Sequence, residues 1–298
     1  MTAPLFFAGP TAAGKSEIAL ALAAKIGGEI ISVDSMQVYR GLNIGTAKPD
    51  PAAPKTIPHH LIDVCDLTEA FDAAKFVRLA NRAVAEIRSR NRTPIFCGGT
   101  GLYFKAFLDG LGDAPPANAA LRAELEATPL PRLLEELRRR DPAAFEKIDG
   151  KNPRRVVRAI EILRTTGKPV ASSRADWQRQ KENGDTVMLF VRSPGDLRRR
   201  IDSRVDSMFH QGLVEETRKL LKRGLAENRN AMQAIGYRQV VEHLRGQHDL
   251  AETVELVKIR TRQFAKRQLT WFGRHIHCQR IELRPEETVQ ETLARVIP

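Results

Sequence analysis

The residues best suited to chemistry come first in the chain. Gly9-Pro10-Thr11-Ala12-Ala13-Gly14-Lys15-Ser16 fits the phosphate-binding pattern G-x-x-x-x-G-K-[ST] at every fixed position. In such a loop, backbone N–H groups and a helix N-terminus surround an anion. Lys15 adds a point charge, the Thr11 hydroxyl a further donor, and the Ser16 hydroxyl a ligand for Mg²⁺. The bound phosphate can belong to a kinase, a hydrolase or a motor, or to a pyrophosphate that simply leaves. A hydrolytic or motor ATPase also needs an acidic residue at the end of an apolar strand, to hold Mg²⁺ and order water. The run Pro94-Ile95-Phe96-Cys97 ends instead in Gly98-Gly99-Thr100-Gly101. The one Asp at such a strand end is Asp34, after Glu29-Ile30-Ile31-Ser32-Val33. It reads either as a base aimed at a nucleophile or as a turn cap before Ser35.

These residues need a scaffold. Pro4 to Ala8 is an apolar run of buried-strand length, and Glu17 to Lys25 is rich in strong helix formers. A helical stretch, Ala73 to Arg90, separates the second and third apolar runs. This order of βαβ-like units predicts an α/β fold: a P-loop-type parallel sheet core flanked by helices. Ligands gather at the carboxyl ends of such strands, so residues 9–16, 34–37 and 98–101 are expected on one rim. From Asn118 to Thr166 only helical periodicity remains, with many Arg, until Val187 to Val191 resumes the sheet pattern. Residues 113–183 therefore read as a helical insertion domain, and 1–112 with 184–298 as the core. Charged helical patterns follow at 194–225, 232–244 and 250–272, then a strand near 277–283 and a closing helix over 285–296.

Lys plus Arg number 48 against 36 Asp plus Glu in 298 residues, a formal net charge of +12. That excess favours an anionic partner, nucleic acid above all. Cys65, Cys97 and Cys278 are few and far apart, which fits a reducing compartment. Arg274-His275-Ile276-His277-Cys278 has no second ligand cluster at zinc spacing and reads as surface and strand. No run approaches the roughly 20 apolar residues of a membrane span, and the N-terminus has no signal-peptide pattern. A cytoplasmic protein with no membrane partner is expected.

The motifs together resemble a family. The loop at 9–16 is followed by Val33-Asp34-Ser35-Met36-Gln37-Val38-Tyr39-Arg40, Gly45-Thr46-Ala47-Lys48-Pro49 and Pro58-His59-His60-Leu61-Ile62-Asp63. Next come Gly98 to Tyr103, Asn152-Pro153-Arg154-Arg155 with Arg158 to Glu161, Ala234-Ile235-Gly236-Tyr237-Arg238-Gln239, and Thr261 to Gln268. In this order they resemble the bacterial tRNA dimethylallyltransferases, also called tRNA isopentenyltransferases. The resemblance implies transfer of a dimethylallyl group from dimethylallyl diphosphate to N6 of the adenosine just 3′ of the anticodon, adenosine 37. Pyrophosphate leaves. It implies Mg²⁺ as cofactor, the tRNA anticodon stem-loop as partner, a nucleotide-binding (ATP-binding) type of phosphate loop, and a monomer.

Residue by residue, the resemblance implies that Gly9 to Ser16 hold the diphosphate, with Thr11 and Lys15 acting on the leaving group. Asp34 orients the amine and takes its proton. An Arg beyond the loop clamps the pyrophosphate, Arg218 first and Arg238 second. Asp34, Ser35, Met36, Gln37 and Thr100 meet the flipped adenosine, since a base must leave its stack to reach the donor. Arg122, Arg158, Ala159, Ile160, Glu161 and Ile162 contact tRNA from the insertion. Lys258, Arg262 and Lys266 form a further basic stripe. Tyr39 and Tyr103 read equally as stacking platforms or core, and His59-His60 has no assigned role. The competing readings are a P-loop small-molecule kinase using ATP, a prenyltransferase acting on free adenine nucleotides, and an RNA-binding protein with a degenerate loop. The intact Lys15, Ser16 and Asp34 argue against the last.

Overall fold

The computed structural model describes residues 2–49, 57–116, 118–173 and 186–296. Among the described residues six strands form one sheet in the order β3-β2-β4-β1-β5-β6, with every pairing parallel. They are β1 (Leu5–Ala8), β2 (Glu29–Val33), β3 (His59–His60), β4 (Pro94–Gly98), β5 (Val187–Val191) and β6 (Cys278–Glu282). Because side chains alternate across a strand, Phe6 and Phe7 of β1 serve opposite faces. Phe7 joins Ile30, Ile95, Met188, Phe190 and Ile281 under α1 (Lys15–Ile26) and α12 (Val289–Val296), which contribute Leu22 and Leu293. Phe6 stacks on Phe96 with ring centroids 5.0 Å apart, and both meet Phe107 of α3 (Gly101–Asp109). Tyr103 of α3 stacks at 4.5 Å on Phe76 of α2 (Ala73–Ser89), and Phe104 packs on Phe272 of α11 (Leu250–His275). Tyr39 and Tyr103 are thus core residues, 0% and 5% exposed, and not stacking platforms.

The chain divides into two compact units, Met1–Phe107 with Asn183–Pro298, and Leu108–Glu182. The first junction falls at 107/108, ahead of the 112/113 expected from sequence, and the second expected junction, 183/184, lies outside the described residues. The smaller unit holds α4 (Ala119–Ala127), α5 (Leu130–Arg140), α6 (Pro142–Lys147) and α7 (Pro153–Thr166). They close around Leu125, Leu133, Leu137, Val156, Ile160 and Leu163.

The first two charged helical patterns resolve into shorter pieces, while the third is the single helix α11. The first becomes α8 (Pro194–His210) and α9 (Leu213–Leu221), broken at Gly212, which takes a left-handed backbone. The second keeps only α10 (Tyr237–Leu244), because Gly236 interrupts it. The closing helix begins at Val289, after Thr288 and Glu291 cap each other's backbone N–H groups.

The edge strand β3, too short to give a periodic signal, supplies the role that His60 lacked. His60 Nε2 donates to Glu29 Oε2 at 2.7 Å, and Arg90 donates to both Glu29 oxygens at 3.0 and 2.7 Å. Glu29 is 1% exposed. Burial alone would raise its carboxyl, but the bonds from Arg90 and His60 outweigh that and hold it below the usual carboxylate range. Glu29→Gln is expected to destabilise the fold by about 2–3 kcal/mol at neutral pH in denaturant melts. The carboxyl is lowered on folding, so its contribution is present above the unfolded value. It is lost as pH falls through the folded value, and acid melts of the Gln variant should lack that phase.

Candidate active site

Three loops meet where β1, β2 and β4 end. Ala8 and Val33 both stand level with Gly98 in the sheet register, so the segments that follow share one rim. Gly14 opens α1 at φ +97, a left-handed conformation that an L side chain resists. The loop can thereby turn its amides toward an anion at the helix N-terminus.

The loop carries little negative charge of its own and is surrounded by cations. Lys15 Nζ donates to Pro10 O at 3.3 Å. Burial lowers its ammonium below the usual lysine range, and the Arg204 charge pushes the same way against attraction from Asp34. Arg192 at the end of β5 donates to Ala13 O at 2.7 Å, and Arg200 of α8 to Ala12 O at 2.9 Å. Arg204, one turn further along α8, reaches Thr11 Oγ1 at 3.4 Å. Arg192 is neutralised by Asp196 at 2.8 Å and Arg200 lies 3.5 Å from Glu17. Among the described residues, neither Arg204 nor Lys15 forms an ion pair. Two cations drawn out of water beside a cradle of N–H groups are stabilised by an anion placed between them.

Arg218 is not part of this cluster. It is half exposed on α9, and its guanidinium pairs with Glu215 at 3.2 Å. Arg238 likewise pairs with Glu242 on its own helix at 3.0 Å. The sequence did hold a signal for the guanidiniums that reach the loop: Arg200 and Arg204 are four apart on the helix after β5, and β5 pairs with β1.

Asp34 serves its own turn and still has an oxygen to spare. Its Oδ1 accepts from the backbone N–H groups of Met36 at 2.8 Å and Gln37 at 3.2 Å. Its Oδ2 has no hydrogen-bond partner among the described residues. The base and turn-cap readings are therefore compatible. Thr100 Oγ1 accepts from Ser35 N at 3.1 Å, which joins the ends of β2 and β4. Gln37 is committed within the protein: Ser32 Oγ donates to its Oε1, and its Nε2 donates to Thr46 O at 3.1 Å.

Gln268 of α11, which sequence reasoning gave no role, ties the first loop to the third. Its Oε1 accepts from Thr11 N at 2.9 Å and its Nε2 donates to Gly99 O at 2.9 Å. Beside the loop lies a cavity of about 930 Å³, lined in part by Ala12, Arg200, Arg204, Ile44, Lys48 and Met208.

Ser16 is exposed at the head of α1. The described residues contain no cluster of His, Cys, Asp and Glu that would hold a metal, the 274–278 segment included. Mg²⁺ needs no such cage, since it keeps several waters and takes oxygens from a bound phosphate. One hydroxyl at the loop fits that donor set.

In the helical unit, Glu161 is fully buried and accepts from Arg122 at 2.6 Å, Arg158 at 2.7 Å and the Asn118 N–H at 2.9 Å. Ala159, Ile160 and Ile162 are 2%, 0% and 5% exposed. These three and Glu161 face the unit's interior and present no side chain to RNA; of residues 158–162 only Arg158 reaches solvent. In the larger unit, Lys258 and Arg262 of the expected stripe pair with Asp206 at 2.8 Å and Asp202 at 3.2 Å.

Comparison with known proteins agrees with this architecture. The IPP transferase family model matches residues 37–275. The chain is 45% identical over 273 residues to tRNA dimethylallyltransferase 1 of Trichlorobacter lovleyi, covering 90% of each. It is 45% identical over 285 residues to the tRNA dimethylallyltransferase of Halorhodospira halophila, covering 91% of this chain and 90% of that one. The crystal structure of the full-length tRNA isopentenylpyrophosphate transferase from Bacillus halodurans superposes with a TM-score of 0.72 at 36% identity, over 99% of this chain and 94% of that one. A eukaryotic dimethylallyltransferase solved acting on tRNA gives 0.83 at 27% identity, over 99% and 78%. With most of its length matched by the family model and by relatives at this identity, the chain belongs to the IPP transferase family.

Proposed function

We propose that the protein transfers a dimethylallyl group from dimethylallyl diphosphate to N6 of adenosine 37 in tRNA and releases pyrophosphate. The observation that carries this reading is the pair of cations at the loop, Lys15 and Arg204, that form no ion pair among the described residues, with Asp34 on the same rim. Residues Gly9 to Ser16 hold the diphosphate, and the Ser16 hydroxyl would hold Mg²⁺, which would supply further positive charge to the leaving group. As the C1–O bond breaks, negative charge grows on the pyrophosphate, where the loop N–H groups, Lys15 and Arg204 are already aimed. Asp34 Oδ2 receives the N6 proton as the N6–C1 bond forms. An aromatic amine is a weak nucleophile, so alignment by the Asp34 turn and Thr100 counts as much as basicity. The adenosine is flipped into this site, and Ser35 and Met36 contact it through the turn they build. Phosphate contacts from the helical unit, through Arg122 and Arg158, hold the anticodon stem-loop without reading its sequence. No helix among the described residues is long and apolar enough to cross a membrane. A cytoplasmic monomer is the form this reading implies.

The direct test is to incubate the protein with unmodified tRNA, Mg²⁺ and dimethylallyl diphosphate, without ATP, and weigh the digested nucleosides. A prenylated adenosine is expected; no mass gain, with both substrates shown to bind, would overturn the reading in favour of phosphoryl transfer from ATP. Asp34→Asn keeps an Oδ1 acceptor for the turn but removes the base. It should retain tRNA affinity in a filter-binding assay while turnover falls by about 10²–10⁴-fold. Arg204→Ala should lower kcat by about 10²–10³-fold, as removal of one oxyanion donor does. Arg218→Ala should leave steady-state kinetics nearly unchanged, and the reverse ranking would restore Arg218 as the clamp.

A further inference from the structure

Two motifs of the sequence have no role in the mechanism above, Gly45-Thr46-Ala47-Lys48-Pro49 and Gly236-Tyr237-Arg238-Gln239. The structure joins them. Tyr237, at the start of α10, is 0% exposed and donates its hydroxyl proton to Glu216 Oε1 of α9. The same phenolic oxygen accepts from the Gly45 N–H at 3.0 Å. Glu216 in turn takes the Ile44 N–H on both carboxylate oxygens, at 3.0 and 3.1 Å. The tyrosine ring lies so close that a Cβ on Gly45 would stand 2.5 Å from it. Two helices thus grip two successive backbone amides of one loop, and glycine is what lets the ring reach it.

The grip is transmitted. Thr46 O and Ala47 O accept from Gln37 Nε2 at 3.1 and 3.4 Å. The Gln37 N–H lies in the turn closed by Asp34 Oδ1. The same loop lines the cavity beside Ala12 and Arg204, through Asn43, Ile44, Ala47 and Lys48. Lys48 fixes its far end by donating to Tyr39 O at 2.6 Å and pairing with Asp63. Hydrogen bonds joined by the backbone of residues 44–47 and by Gln37 itself therefore lead from Glu216 and Tyr237 to the Asp34 carboxylate.

We propose that Tyr237 and Glu216 are positioning residues for prenyl transfer: by fixing residues 44–47 they set Gln37, and through it the turn that presents Asp34. This rests on the transferase reading above. Neither side chain touches substrate. Their effect is on alignment in the reacting complex, where a displacement of about 1 Å can cost on the order of 10²-fold in rate.

The test is single-turnover prenyl transfer at saturating tRNA and dimethylallyl diphosphate, with the dissociation constant of each substrate and the thermal midpoint measured alongside. Tyr237→Phe removes one hydroxyl from a buried ring. The rate of bond formation should fall about 10- to 100-fold, with both dissociation constants within about twofold and the midpoint within a few degrees. Glu216→Ala should show the same split, and Glu216→Gln, which keeps an acceptor for Ile44, should recover most of the rate. The Tyr237→Phe/Glu216→Ala double variant should be little slower than the slower single one, because both act through one loop. A folded Tyr237→Phe protein with the wild-type rate overturns the proposal. So does a rate loss that matches a loss of folded protein or of diphosphate affinity. If Tyr237→Phe does not fold, the comparison of Glu216→Ala with Glu216→Gln decides, and equal rates there overturn it. A wild-type protein that forms no prenylated product instead removes the transferase reading, and this inference with it.

Discussion

The amide of Gln268 holds together the two loops on which the site depends. A parallel sheet brings the ends of β1 and β4 side by side, but it does not fix the loops that leave them, because each has left the ladder. Gln268 closes that gap from the buried face of α11, accepting from Thr11 N and donating to Gly99 O. Both partners are backbone groups with fixed roles, so the orientation of the amide is dictated. Its Oε1 also consumes the Thr11 N–H, leaving the amides nearer α1 to face an anion. Gly99 leads directly to Thr100, and Thr100 to Ser35. One side chain thereby connects the phosphate loop to the turn carrying Asp34, and a shift in one is felt at the other.

The charge pattern follows a similar logic of selective pairing. The net charge of +12 is what remains after every acid is counted, and many of the individual cations are paired locally. Arg164 pairs with Glu124 and Glu136, Arg158 and Arg122 with Glu161, and Arg262 and Lys258 with acids of α8. Around the phosphate loop, Asp196 and Glu17 neutralise the two guanidiniums that brace loop carbonyls, Arg192 and Arg200. Among the described residues, Lys15 and Arg204 form no ion pair. A site built for a dianion should look like this: bracing cations satisfied in place, and binding cations held partly desolvated without a counter-ion of their own.

The sheet core and the rim were legible because their signals are local and periodic. Buried runs of strand length, a glycine loop opening a helix and a carboxylate at a strand end can each be read without knowing the neighbours. The edge strand His59–His60 could not be read, since two residues carry no period and are fixed by pairing with β2. Gln268 and Tyr237 were visible as motif members yet had no role, because their partners lie far away in sequence, at Thr11 and Gly99 and at Gly45 and Glu216. The pairing of Arg218 with Glu215, away from the loop, was hidden for a similar reason. Several basic helices follow β5, and only the packing of α8 against the loop singles out Arg204.

The stretch 158–162 shows how a helix limits what a contiguous motif can mean. Five successive residues of α7 cover more than a full turn, so they cannot all face one partner. Ala159, Ile160 and Ile162 turn inward to meet Leu125, Leu133 and Leu137, and Arg158 points out. Glu161 turns inward as well, yet it is the residue that gives the motif a charge-handling role. Burial alone would raise its carboxyl, but the bonds from Arg158 and Arg122 outweigh that and keep it below the usual range. It therefore remains an anion and fixes two guanidiniums that are otherwise long and mobile. Holding a guanidinium in advance lowers the side-chain entropy lost when it meets a phosphate. The motif thus divides its work between one outward cation, three apolar residues that anchor the helix, and one buried acid that aims the cations on either side of it.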